Sequence, residues 1–157
     1  MIEHGATTIW ELWNGNTADP EMNSRNHVML VGDLVIWLYE DLAGIKSDPT
    51  IPGFKHIIMK PHPVGDLTFV KATHLSPYGL IASDWHRDGT TFDWHITVPV
   101  NATATVYVPA KTLDHVYEGD MFASNVRDIK FIGMKSGYAV FNVGSGKYHF
   151  TSESVSW

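Results

Sequence analysis

The sequence predicts a mainly β chain, an antiparallel β-sandwich preceded by one strongly apolar helical segment. Three observations carry this. The hydrophobic period changes near Gly44, from helical before it to strand-like after it. Phe92, Trp94, Ile96 and Val98 alternate with Asp93, His95 and Thr97, the period-two pattern of a half-buried strand. Short apolar runs broken by turn residues then recur over roughly a hundred residues, which suits a sandwich.

Residues 26–43 read as one helix of about five turns. Asn23 and Ser24 offer capping side chains ahead of it, and Gly44 is placed as its stop. On a helical wheel Val28, Val31, Leu34, Val35, Ile36, Leu38, Tyr39, Leu42 and Ala43 cover roughly 220°. Leu30 and Trp37 widen that arc, leaving Asp33, Glu40 and Asp41 as the clearly polar positions. An ordinary surface helix has a narrower stripe. A helix apolar almost all round belongs inside a larger assembly of helices, so the chain reads as beginning within a domain. One helix covering one sheet is the alternative.

Pro49, Pro52, Gly53, Pro61 and Pro63 then punctuate a connector. Strands are expected at residues 56–59, 67–72, 80–85, 92–98, 103–108, 129–132 and 138–143. Asp88-Gly89 and Gly144-Ser145-Gly146 predict hairpin turns. The expected organisation is a helical part over residues 1–48, a sandwich over 49–152 and a tail over 153–157. After Pro52 no helix longer than two turns is expected, and at least seven strands should form two sheets.

The net charge of −6, with no basic run, gives no footprint for nucleic acid or an anionic membrane. Residues 28–39, the most apolar stretch, are interrupted by Gly32 and Asp33 and fall short of the ~20 residues a membrane span needs. The opening Met1-Ile2-Glu3-His4-Gly5 has neither the basic flank nor the apolar segment of a leader. With no cysteine, disulfides and thiol nucleophiles are excluded, and a thiol-free chain suits either side of a bacterial inner membrane. Seven of the nine histidines, from His56 to His149, are scattered over the strand region without HxH or HExxH spacing, so no metal and no cofactor is expected.

Two segments could carry chemistry. Trp10-Glu11-Leu12-Trp13 sets one carboxylate between two indoles in an otherwise uncharged run. Burial beside aromatics raises a carboxylate's pKa into the range of a general acid or base, and indole faces make platforms for sugars. The same residues also suit a Glu bonded to backbone and flanked by core tryptophans. Met22-Asn23-Ser24-Arg25-Asn26-His27 leads into the apolar helix. Capping accounts for its Asn and Ser but not for His27, which a helix N-terminus would keep neutral and fit to hydrogen-bond a hydroxyl. Trp85, Trp94 and Trp157 could line a sugar face, although Trp85 and Trp94 read better as core residues of facing strands.

Together these residues resemble a family. Gly5-Ala6-Thr7-Thr8-Ile9-Trp10-Glu11-Leu12-Trp13, followed by Met22-Asn23-Ser24-Arg25-Asn26-His27, closely resembles the last catalytic segment of family 78 α-L-rhamnosidases. So do Trp37-Leu38-Tyr39-Glu40-Asp41-Leu42-Ala43-Gly44-Ile45, Pro52-Gly53-Phe54-Lys55, Pro77-Tyr78-Gly79 and Trp85. The resemblance covers roughly residues 1–110. It implies the end of an (α/α)6 barrel followed by the sandwich, and a part in inverting hydrolysis that frees terminal α-L-rhamnose from glycosides or polysaccharides. It implies Glu11 as the general base, His27 as a rhamnose contact and a general acid in earlier barrel helices; Trp10 and Trp13, as indole platforms, are expected to bind the sugar too. A rhamnose-containing carbohydrate is then the expected partner. The chain alone should be inactive, and its apolar helix should drive it to form homo-oligomers. A stand-alone carbohydrate-binding or structural sandwich is the alternative.

Overall fold

The computed structural model describes residues 1–19, 21 and 24–155, so the expected cap Asn23 and the tail residue Trp157 lie outside the described residues. The chain divides into two compact units, Met1–Leu38 and Tyr39–Trp157.

The first unit holds a short 3₁₀ turn, Ile2–His4, and one helix, α1, Leu30–Trp37. The helix starts later than residue 26, and the residues ahead of it are bonded elsewhere. The His27 N–H is taken by the Ile9 carbonyl at 2.7 Å, and the Asn26 N–H donates to Ser24 Oγ at 3.3 Å. Ser24 therefore caps the turn before the helix rather than the helix itself. Leu30, Val31 and Gly32 donate back three residues, to His27, Val28 and Met29, so the chain enters α1 through 3₁₀ winding. None of the eight residues of α1 is buried. Its apolar residues stay partly exposed, Leu34 at 50% and Trp37 at 40%.

A π-helical turn, Leu38–Leu42, follows α1 in sequence, and all but its first residue belong to the second unit. Its end is tied down by buried side chains. Trp85 Nε1 donates to the Leu42 carbonyl at 2.9 Å, and Ser83 Oγ donates to the Ala43 carbonyl at 2.7 Å. Trp94 Nε1 donates in turn to Ser83 Oγ at 2.9 Å. These bonds satisfy carbonyls that a helix end otherwise leaves unpaired. Gly44 stops the turn at φ +70, as its position predicts.

Eleven strands follow: β1 Ile45–Ser47, β2 His56–Met59, β3 Phe69–Ser76, β4 Gly79–Asp88, β5 Thr91–Val98, β6 Thr103–Pro109, β7 Val116–Glu118, β8 Met121–Phe122, β9 Ile129–Lys135, β10 Tyr138–Val143 and β11 Gly146–Ser152. They form a five-stranded sheet in the order β1-β2-β6-β10-β9 and a six-stranded sheet in the order β3-β4-β5-β11-β7-β8. All pairings are antiparallel except β2 with β6. Among the described residues no helical element after Pro52 exceeds three residues. β1 lies before the proline-rich connector, so the sheet draws in three residues that sequence reading places with the helix.

The core alternates as the period predicts. Ile57, Met59, Ala104, Val106, Val108 and Phe141 face Ile81, Trp85, Phe92, Trp94, Ile96 and Phe150, all at 2% exposure or less. Trp85 and Trp94 sit directly opposite one another on the paired strands β4 and β5, both buried in the core. Asp88 pairs with Thr91 around a two-residue loop in which Gly89 takes the positive φ, which makes this the expected hairpin. Gly144-Ser145-Gly146 behaves differently. It carries the chain from β10 in one sheet to β11 in the other, where the Tyr148 hydroxyl closes back on the Gly144 carbonyl at 3.1 Å.

Candidate functional site

In the first unit two irregular pieces are clamped side by side. The His27 N–H donates to Ile9, the Glu11 N–H donates to Ser24 at 2.9 Å, and the Thr8 hydroxyl donates to the Arg25 carbonyl. This ladder brings together the two segments that sequence reading singled out. Glu11 Oε2 accepts the Ser24 N–H at 2.9 Å, and His27 Nδ1 stands 3.7 Å from the same oxygen. The Glu11 side chain is 43% exposed and that of His27 25%.

Glu11 is therefore not buried between two indoles, as the sequence suggested. Trp10 is packed away at 6% exposure, whereas Trp13 stands 80% exposed in the turn that follows. Trp13 helps line an open depression of about 680 Å³ with Met1, Ile2, Glu3, Ala6, Thr7, Thr8 and Ile9. Glu11, His27 and Trp10 are not in that lining. The chain bends at Glu11 and Leu12 and turns at Trp13, so the two indoles leave it into different surroundings. Chemically, Glu11 has one carboxylate oxygen fixed by a backbone amide and remains open to solvent. Such a group can take a proton from a water held beside it, and a histidine close by can bond a hydroxyl.

In the sandwich Trp85 and Trp94 are fully buried and present no sugar face, and Trp157 lies outside the described residues. One constellation was missed in the sequence. Asp93 and His95 share the outer face of β5, and the register of β11 sets His149 opposite His95. Asp93-Trp94-His95 on a period-two strand was the visible half of it. The other half depends on a strand pairing that spacing does not reveal.

Residues 44–121 match the family described as bacterial α-L-rhamnosidase C-terminal domain, and residues 1–42 match the bacterial α-L-rhamnosidase six-hairpin glycosidase domain. An α-L-rhamnosidase of Streptomyces avermitilis is 35% identical over 155 residues, which is 96% of this chain and 14% of that protein. The chain thus spans about one seventh of the length of that curated relative. The crystal structure of the Streptomyces avermitilis α-L-rhamnosidase complexed with L-rhamnose superposes with a TM-score of 0.79 at 33% identity, over 97% of this chain and 14% of its own. The α-L-rhamnosidase of Dictyoglumus thermophilum gives 0.78 at 39% identity, over 98% and 17%.

Proposed function

The chain belongs to the bacterial α-L-rhamnosidase family, and from that premise we propose that it forms part of an inverting glycoside hydrolase releasing terminal α-L-rhamnose from glycosides or polysaccharides. The observation that supports this reading is the Glu11–Ser24–His27 clamp, which lies in the stretch matching the six-hairpin glycosidase domain. Glu11 acts as the general base: its fixed carboxylate draws a proton from water as that water attacks the anomeric carbon. His27 bonds a rhamnose hydroxyl. Trp13 offers its exposed indole to the sugar, and Trp10 anchors the segment from the buried side. Inversion needs a second carboxyl about 6.5–9.5 Å away across the sugar, to protonate the leaving oxygen. We place that acid in the part of the six-hairpin domain beyond the residues matched here.

A graft tests this. The chain replaces the matching segment of the Streptomyces avermitilis enzyme, and hydrolysis of an aryl α-L-rhamnoside is followed. The graft should work at a rate within about tenfold of its host, since each tenfold is only ~1.4 kcal/mol of barrier. The 157-residue chain alone should show no turnover of an alkyl rhamnoside. It forgoes general-acid assistance worth about 10²–10⁴-fold, together with most of the positioning. A folded but inactive graft, or turnover by the chain alone, would remove the reading.

The same reading carries a physical consequence for the chain on its own. The exposed residues of α1 are covered in the 157-residue chain only by a second copy, and exposed apolar patches of this kind drive association. Sedimentation equilibrium should therefore show a dimer or larger species, with residues 1–43 at the contact. Leu34→Glu with Trp37→Glu, two exposed positions one turn apart, should return it to a monomer. A wild-type monomer at every concentration would end this idea.

A further inference from the structure

We propose that Asp93, His95 and His149 form a binding site for a divalent transition-metal ion of the zinc, nickel or copper kind, on the outer face of the six-stranded sheet. Asp93 and His95 are alternate residues of β5 and so leave the same face. In the antiparallel pairing of β5 with β11, His149 stands directly opposite His95, and Thr151 opposite Asp93. The two imidazole rings lie face to face, 3.9 Å between centroids and 11° from parallel. Their Nε2 atoms both turn to the one carboxylate. His149 Nε2 is 2.7 Å from Asp93 Oδ2, and His95 Nε2 is 3.6 Å from Asp93 Oδ1.

One ligand atom from each of the three side chains lies within 4.8 Å of the others. Donors about 2.0–2.1 Å from a tetrahedral ion stand roughly 3.3 Å apart. Closing the set takes side-chain rotation alone, because the backbone spacing is already fixed by the strand pairing. The side chains are 59%, 39% and 39% exposed for His95, His149 and Asp93, so rotation is free and water can complete the coordination.

The donor set decides the kind of ion. Two imidazoles and one carboxylate suit zinc, copper and nickel, whereas calcium and magnesium want oxygen throughout. The proton between His149 and Asp93 is what an ion would displace, since a ligating imidazole must be neutral on the nitrogen that binds. Neighbouring strands add charge of both signs. Asp84 and His86 of β4 stand opposite His95 and Asp93, Lys71 of β3 pairs with Asp84 at 2.9 Å, and Lys147 precedes His149 by two residues on β11. Asp84 Oδ1 is buried with no hydrogen-bond partner among the described residues, while its other oxygen is paired with Lys71.

Equilibrium dialysis of the full chain against zinc chloride, with the metal content then measured, tests the site. We expect one zinc per chain at pH 7.5. His95→Ala and His149→Ala should each weaken uptake at least about tenfold, and Asp93→Asn should weaken it too. His86→Ala should leave it unchanged. All four positions are at least a third exposed, and circular dichroism would confirm that the variants fold. No zinc retained by the wild type, equal retention by His149→Ala, or displacement by equimolar calcium would each overturn the proposal.

Discussion

Grafted into a complete six-hairpin enzyme, Glu11→Gln should lower kcat for an aryl rhamnoside by about 10²–10⁴-fold, the usual worth of a general base, and leave KM nearly unchanged. The amide keeps the length and shape of the side chain, and its carbonyl oxygen can still accept the Ser24 N–H that Glu11 Oε2 accepts at 2.9 Å. What it cannot do is take a proton from water. His27→Ala should behave differently. A hydrogen bond to a rhamnose hydroxyl is present in both ground and transition states, so its loss should raise KM as well as lower kcat. The split between the two variants is the informative result. A Glu11→Gln graft that hydrolyses at the wild-type rate would deny Glu11 its role. A His27→Ala graft with unchanged KM would deny His27 a sugar contact.

Where local chemistry decides the conformation, the sequence was readable. The alternation from Phe92 to Val98 became β5, with Phe92, Trp94 and Ile96 inward and His95 outward. Asp88-Gly89 became a hairpin, and Gly44 ended the helical run, because a positive φ is a property of one residue and its neighbours. Where partners distant in sequence decide it, the reading slipped. Gly144-Ser145-Gly146 has the composition of a hairpin turn, yet tertiary pairing sends β10 and β11 to different sheets. The expected first turn is instead drawn to Ile9, far away in sequence, whose carbonyl accepts the His27 amide. β1, β7 and β8 are two or three residues long, too short for a period to show.

The candidate site divides along the same line. Residue types and spacing drew attention to Glu11 and His27, and the ladder between residues 8–11 and 24–27 sets them 3.7 Å apart. The surroundings of Glu11 were not legible, because burial depends on what distant parts of the chain cover. Trp10 is covered and Trp13 is not. The Asp93–His95–His149 cluster needed the β5–β11 register, in which a slip of one residue would turn His149 to the other face.

Gly44 is where the largest loss of stability is expected. A Cβ built there would lie 2.3 Å from the Pro61 nitrogen and 2.5 Å from the Lys60 carbonyl carbon, both backbone atoms that no rotamer change can move. Alanine would also be forced to φ +70, which costs about 1–2 kcal/mol for a residue with a Cβ. Overpacking adds typically another 1–3 kcal/mol, so Gly44→Ala should cost about 2–5 kcal/mol in all. The damage is local to a point that matters. Gly44 accepts the Lys60 N–H at 3.0 Å, next to the Ile45–Met59 pair that begins the first sheet. It also follows Ala43, whose carbonyl closes the buried Ser83–Trp94 chain of hydrogen bonds. Gly89→Ala separates the two causes. Gly89 has φ +55 but nothing within 4 Å of its Cβ position, so it should cost the backbone part alone, about 1–2 kcal/mol. Urea unfolding followed by the fluorescence of Trp85 and Trp94 would measure both variants. If Gly44→Ala cost no more than Gly89→Ala, the close approach of residues 60 and 61 would not be a tight constraint on the sandwich.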